Sequence, residues 1–167
     1  MKQAHVFWLI IWSFLAFACD TETGKKADSP HLAFYTLENQ NTINPGCELD
    51  VATAREKDKI IANDEVLSYH AAEHYFILTA AAVNRLKNIK SQTPFYLKVD
   101  NQVVYSGFLM PGYLSLACFD KVVIDPLAYN NIIWVRYDYA NAGKPTNDFR
   151  NNATLLEVLQ KQGKLEK

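Results

Sequence analysis

Apolar positions along this chain fall into one long run followed by many short alternating ones. Val6–Phe17 is almost continuously apolar and follows a single charge, Lys2. The run is shorter than the ~20 residues a membrane-spanning helix needs. A positive start, a short apolar centre and the small Ala18 have the form of an export signal over residues 1–18. "DTETGKKADSP" follows Cys19 and offers no large apolar side chain. Such a stretch cannot bury enough surface to fold, so residues 19–30 are expected to be a tether. Alternating runs begin at His31, and residues 31–167 fit the length of one domain.

Within that domain the period is mostly two. "HLAFYTLE" (31–38) reads as a strand and the Asn-, Pro- and Gly-rich "NQNTINPGCE" as a loop. "LDVAT" reads as a short strand, and the charged run Arg55–Lys59 as a solvated turn or helix end. "PFYLKVDNQVVYSGFLM" (94–110) predicts a hairpin with Phe95, Leu97 and Val99 on one face. Asp100, Asn101 and Gln102 supply its turn. "KVVIDP" is a strand stopped by Pro126. "NIIWVRYDYA" sets Ile133, Val135, Tyr137 and Tyr139 against Ile132, Trp134, Arg136 and Asp138.

Two segments keep a helical period. Thr79 is placed to cap "AAAVNRLKNI", and Arg85, Lys87 and Lys90 suit the negative end of that helix's dipole. Near the C-terminus, Leu155, Leu156 and Leu159 form a stripe with Val158 at its edge, and Gly163 is a natural stop. The expected fold is α+β, a small, mostly antiparallel sheet with two packed helices, one mid-chain and one C-terminal.

Charge narrows the functional classes. Lys and Arg total 17 against 18 Asp and Glu, a net charge of −1, so no basic face calls for nucleic acid. "LAFAC" resembles the lipobox of bacterial lipoproteins, with Ala16 where leucine is usual. The resemblance implies that Cys19 becomes the N-terminus and carries acyl chains. The domain would then be anchored to a membrane of the bacterial envelope, with the outer membrane favoured, and face the periplasm or the surface. The alternative is an ordinary export signal cut near Ala18. The two other cysteines, Cys47 and Cys118, would sit in an oxidising compartment, where a pair can form a disulfide. Closing so long a loop would contribute ~4 kcal/mol on the chain-entropy account. Two separate thiols are the alternative.

The sharpest chemical motif is "SYHAAEH", which holds His70, Glu73 and His74 in the order H-x-x-E-H. On a helix this spacing puts two imidazoles and a carboxylate together, as in one class of zinc peptidases. His70 and His74 would hold the metal with the distant Glu157 as third ligand, and Glu73 would activate water. The surrounding residues do not keep a helical face, however. "VLSYH" and "HYFILT" are β-branched or aromatic, and two strands joined by a short turn account for them. Tyr75 and Ile77 would then face one side, and Phe76 and Leu78 the other. On this reading the chain has no catalytic residue, metal ligand or cofactor.

The order "LAFYTLE", "IIANDEVLSYH", "YFILT", "AAAVNRLKNI", "PFYLKVDNQVVYSGFLM" and "KVVIDP" resembles the head of the first periplasmic domain of the SecD translocase subunit. It is also similar to uncharacterised exported lipoproteins with the local pattern S-Y-x-x-x-x-H-x-I-x-L, here Ser68, Tyr69, His74, Phe76 and Leu78. Both imply an α+β domain and neither carries over a catalytic residue. The expected function is a non-catalytic envelope lipoprotein that binds another envelope protein or acts as a scaffold. One alternative is the zinc hydrolase. The other is a glycan or small-ligand binder using exposed rings, with Trp134, Tyr137, Tyr139 and Tyr113 as candidates.

Overall fold

The computed structural model describes residues 31–38, 49–114, 121–127, 129–137 and 148–166. Cys19, Cys47, Cys118, Tyr139 and residues 1–30 lie outside them. Among the described residues nine strands and two helices form an α+β fold. The strands are β1 (Leu32–Glu38), β2 (Arg55–Ile61), β3 (Val66–His70), β4 (Tyr75–Leu78), β5 (Thr93–Val99), β6 (Gln102–Leu109), β7 (Val122–Ile124), β8 (Ile132–Tyr137) and β9 (Leu165–Glu166). The helices are α1 (Ala80–Lys87) and α2 (Ala153–Lys161). Neither is long and apolar enough to cross a membrane.

All nine strands belong to one sheet, in the order β2-β1-β5-β6-β7-β8-β4-β3-β9. The sheet is therefore larger than the small one expected from sequence. It is also mixed, because β6–β7 and β3–β9 pair in parallel. Two of the added strands come from misread segments. Arg55–Lys59 is not a turn but most of β2, an edge strand whose charged side chains point into water. Exposed charge is how sheets protect an edge from pairing with another chain, so a charged run is compatible with a strand there. The second, β9, is only two residues long and is defined by its partner β3, not by its own pattern. Conversely "LDVAT" is a turn. The Asp50 carboxylate accepts from the Ala52 N–H at 3.0 Å and the Thr53 hydroxyl at 2.6 Å, which holds the bend.

The sheet curls. Phe34 on β1 and Phe76 on β4 have four strands between them in the sheet order, yet their rings meet edge to face with centroids 5.4 Å apart. A flat sheet would keep them far apart, since neighbouring strands are spaced at ~4.8 Å. The concave face holds the main core, including Phe34, Phe95, Leu97, Phe76, Leu78, Ile133 and Val135. Helix α1 adds Ala82, Val83 and Leu86, and α2 adds Leu155, Val158 and Leu159. Val158 is thus part of the buried stripe and Leu156 sits at its edge, the reverse of the sequence reading. The Thr79 hydroxyl caps α1 as expected, accepting from the Ala82 N–H.

Both margins of the sheet meet at Asn63, in the turn after β2. Its side-chain oxygen accepts from the Leu32 N–H at 3.2 Å, and its carbonyl accepts from the Lys164 ammonium just before β9. Arg85 on α1 adds a second tie, reaching the Ile60 carbonyl at 2.9 Å and the Glu65 carboxylate. A smaller cluster of Phe108, Met110 and Val123, with Leu49 and Leu114 against it, covers part of the convex face.

The parallel junction of β6 and β7 depends on Gly107. A Cβ there would lie 2.1 Å from the Val122 carbonyl oxygen. Because the obstacle is backbone, the strands themselves would have to part. Gly107→Ala is expected to destabilise the fold by about 1–3 kcal/mol or more, as a lower midpoint in urea unfolding.

Candidate functional site

The histidine motif is a hairpin. Strands β3 and β4 pair antiparallel, with His70 opposite Tyr75, and residues 71–74 form the connection. His74 ends that connection at φ 59°, and its N–H donates to the His70 carbonyl at 2.8 Å. Its own carbonyl accepts from the Val135 N–H at 2.8 Å, which fastens the turn to β8. Phe76 and Leu78 are fully buried, whereas Tyr75 and Ile77 are half-buried on the convex face, as alternation predicts.

This geometry separates the two imidazoles. The His70 ring stacks on Tyr75, with centroids 5.0 Å apart and planes 18° from parallel. His74 instead places Nδ1 3.5 Å from the phenol of Tyr69, whose ring is fully buried in the core. Tyr69 and His70 are consecutive strand residues and point to opposite faces. Glu157 pairs with Lys161 on the exposed side of α2 and joins neither histidine. No group of three or more His, Cys, Asp and Glu side chains gathers at a metal-holding distance among the described residues.

Around each imidazole lies a different arrangement. On the inner side, Tyr69 donates toward the Arg150 carbonyl (2.9 Å) and the Asn151 side-chain oxygen (3.0 Å). The Asn151 amide then donates to the Ala71 carbonyl at 3.0 Å. Arg150 forms a two-pronged pair with Asp148, at 2.9 and 2.6 Å, and lies 5.2 Å over the Tyr137 ring. These contacts clamp the segment before α2 onto the β3–β4 turn. Burial raises the Tyr69 phenol far above its ordinary value. Burial also lowers His74, and the Arg150 charge lowers it further. The Arg150 hydrogen bond holds the Asp148 carboxyl below the usual carboxylate range.

On the convex side the rings form a row across three strands. Tyr75 pairs in register with Trp134 on β8, and their rings meet edge to face at 5.0 Å and 61°. The Arg136 guanidinium lies 5.7 Å over the Trp134 ring. Ile77 and Ile132 pair beside them, both half-buried. Burial raises the Tyr75 phenol, and the Glu73 and Glu166 carboxylates add to the rise. Glu73 lies exposed in the β3–β4 connection, and the imidazoles on either side of it point apart.

Of the aromatic candidates among the described residues, Trp134 alone belongs to this row, at 37% exposure, and Tyr139 lies outside them. Tyr113 is 74% exposed and stands apart, in the bend after β6. Tyr137 is half-buried under Arg150, its phenol oxygen accepting from the Phe149 N–H at 2.8 Å. Sequence reasoning missed Tyr75, Arg136 and the Asp148–Asn151 clamp. Alternation already turned Tyr75 outward, but nothing in one sequence sets β4 beside β8.

No family model matches the chain, and neither a curated protein nor a solved structure matches it. The chemistry of the site rests on its own geometry.

The clamp makes stability depend on pH. The folded His74 ring binds its proton less tightly than the unfolded one, whose ordinary value is 6.5. Its contribution is complete above that value and is lost as pH falls through it toward the lower folded value. His74→Asn keeps a residue that tolerates positive φ. The variant should show a flatter urea midpoint between pH 7 and pH 5 than the wild type. An unchanged slope would remove His74 as the cause.

Proposed function

We propose that this chain is a non-catalytic lipoprotein of the cell envelope that binds another envelope protein through the convex face of β3, β4 and β8. The observation that carries this reading is the row of half-buried Tyr75 and exposed Trp134 and Arg136 across the paired strands β4 and β8. Trp, Tyr and Arg are the residue types on which protein-binding energy concentrates. His70, Tyr75, Trp134 and Arg136 also hold one another's conformations before any partner arrives. Less side-chain freedom is then lost on docking.

The same contacts weigh against a glycan site. A sugar stacks on an open ring face. Here His70 covers one face of Tyr75, and Arg136 lies over one face of Trp134. The zinc-hydrolase reading has less support, because the hairpin turns His70 and His74 toward opposite faces.

The anchor in this proposal is the acylated Cys19, supported by the export signal and the "LAFAC" stretch. Cys19→Ala should move the protein from the membrane to the soluble fraction. Continued acylation and membrane retention would sink the anchor. The released, immobilised chain should retain a specific envelope protein from detergent extracts. Tyr75→Ala combined with Trp134→Ala should weaken that retention about tenfold or more with unchanged circular dichroism. Retention of the same protein by the double variant would place the contact elsewhere.

The proposal also includes a Cys47–Cys118 disulfide. Leu49 and Leu114, the described residues nearest each cysteine segment on one side, pack on the same Phe108–Met110–Val123 cluster. Non-reducing peptide mapping of exported protein should recover the linked pair. Two alkylatable thiols would exclude it.

A further inference from the structure

Residues 148–151 cross the β3–β4 turn as a strap, held down mainly by polar contacts. The Asn151 amide donates to the Ala71 carbonyl at 3.0 Å. The Phe149 N–H donates to the Tyr137 phenol at 2.8 Å, and Tyr69 donates to the Arg150 carbonyl at 2.9 Å. No strap side chain is fully buried: Asp148, Phe149 and Asn151 are exposed and Arg150 is half-buried. A segment with so little buried apolar surface opens far more readily than the core does.

Two features disfavour the closed strap. Tyr105 is buried toward Tyr69, Tyr137 and Arg150, and its phenol has no hydrogen-bond partner. Water admitted under an open strap would supply one. The second feature is His74, whose Nδ1 lies 3.5 Å from the Tyr69 phenol. Tyr69 on β3 and Arg150, Asp148 and Asn151 on the strap surround its ring, and Glu73 beside it in the turn is exposed. Tyr105 on β6 and Tyr137 on β8 are the other titratable groups around Arg150. Burial and the Arg150 charge oppose a second proton on the imidazole, Asp148 and Asn151 favour it, and the opposition prevails. An open strap would carry Arg150 away and let water reach the ring, so the open state binds the proton more tightly.

The strap reaches the docking row through the backbone. Val135 stands between Trp134 and Arg136. Its N–H donates to the His74 carbonyl at 2.8 Å, and its carbonyl accepts from the Arg150 guanidinium at 3.4 Å. Ala71, tied to Asn151, directly follows His70 at the other end of the row. We propose that uptake of a proton by His74 lifts residues 148–151 from the β3–β4 turn and loosens the Tyr75–Trp134 row, so that the partner is held at neutral pH and released in acid. The release of a partner rests on the docking reading above, and the lifting of the strap does not.

Hydrogen exchange of the Cys19→Ala chain at pH 7 and pH 5, read as protection factors, tests the lifting. The Phe149 amide should lose protection at pH 5 while amides of the β5–β6 hairpin keep theirs. The loss should follow the titration of the His74 ring in NMR spectra, a comparison that needs no variant. His74→Asn should abolish it. Asn151→Ala cuts the tie to Ala71 and should lower Phe149 protection already at pH 7. Tyr105→Phe should raise it at both pH values, because the hydroxyl that water satisfies in the open state is gone. Unchanged Phe149 protection while His74 titrates, or an equal loss in His74→Asn, overturns the strap. The immobilised chain should then release its envelope protein at pH 5, and His74→Asn should keep it. Retention that persists while the strap lifts overturns the coupling. If nothing is retained at either pH, the docking reading fails and the release with it, while the exchange data still decide the strap.

Discussion

Phe34 against Phe76 is the contact on which the architecture turns. A wide sheet with one strongly apolar face cannot leave that face in water, and two short helices are too small to cover it alone. The sheet meets the constraint by curling until strands far apart in its order touch. Irregular register between β1 and β2, β3 and β4, and β5 and β6 assists, because bulges increase local bend and twist. Once curled, the two margins approach each other, and Asn63 can serve both. The close passage of β6 by β7 is a further consequence, and it is why no side chain fits at Gly107.

Curling also divides the polar chemistry. Residues on the concave side must be satisfied locally, and the Tyr69, Asn151, Asp148 and Arg150 network does this at the mouth of the core. On the convex side of β4 and β8, outside the Phe108–Met110–Val123 cluster, side chains are half-buried or exposed and are free to be arranged for contact. The row from His70 to Arg136 lies there, ordered by cross-strand pairing. The Tyr105 phenol, the His70 Nδ1 and the Ser91 hydroxyl are exceptions among the described residues to the general rule that buried polar groups find partners.

The H-x-x-E-H spacing shows how a motif depends on the period of its backbone. On a helix, positions four apart share a face. In a hairpin, the same positions stand on either side of a turn, and their directions follow the local register. His74 takes positive φ to close the turn, and the closure aims its ring at Tyr69 and away from His70. The strand-forming neighbours of the motif signalled this outcome, since "YFIL" alternates with Phe76 and Leu78 inward.

Local chemistry was legible in the sequence. The hairpin of β5 and β6, the Thr79 cap, the inward faces of β4 and β8 and the α+β class all follow from side-chain period and capping, which act within a few residues. The size of the sheet was not legible. An edge strand such as β2 is charged because it is an edge, and β9 exists only because β3 offers it hydrogen bonds. Tertiary structure alone decided that Tyr75 meets Trp134 and that Asp148 and Arg150 close on the β3–β4 turn. Each of these joins residues far apart in the chain. Their meeting is set by how the sheet hides its apolar face, which depends on all the strands together and not on the pattern of any one of them.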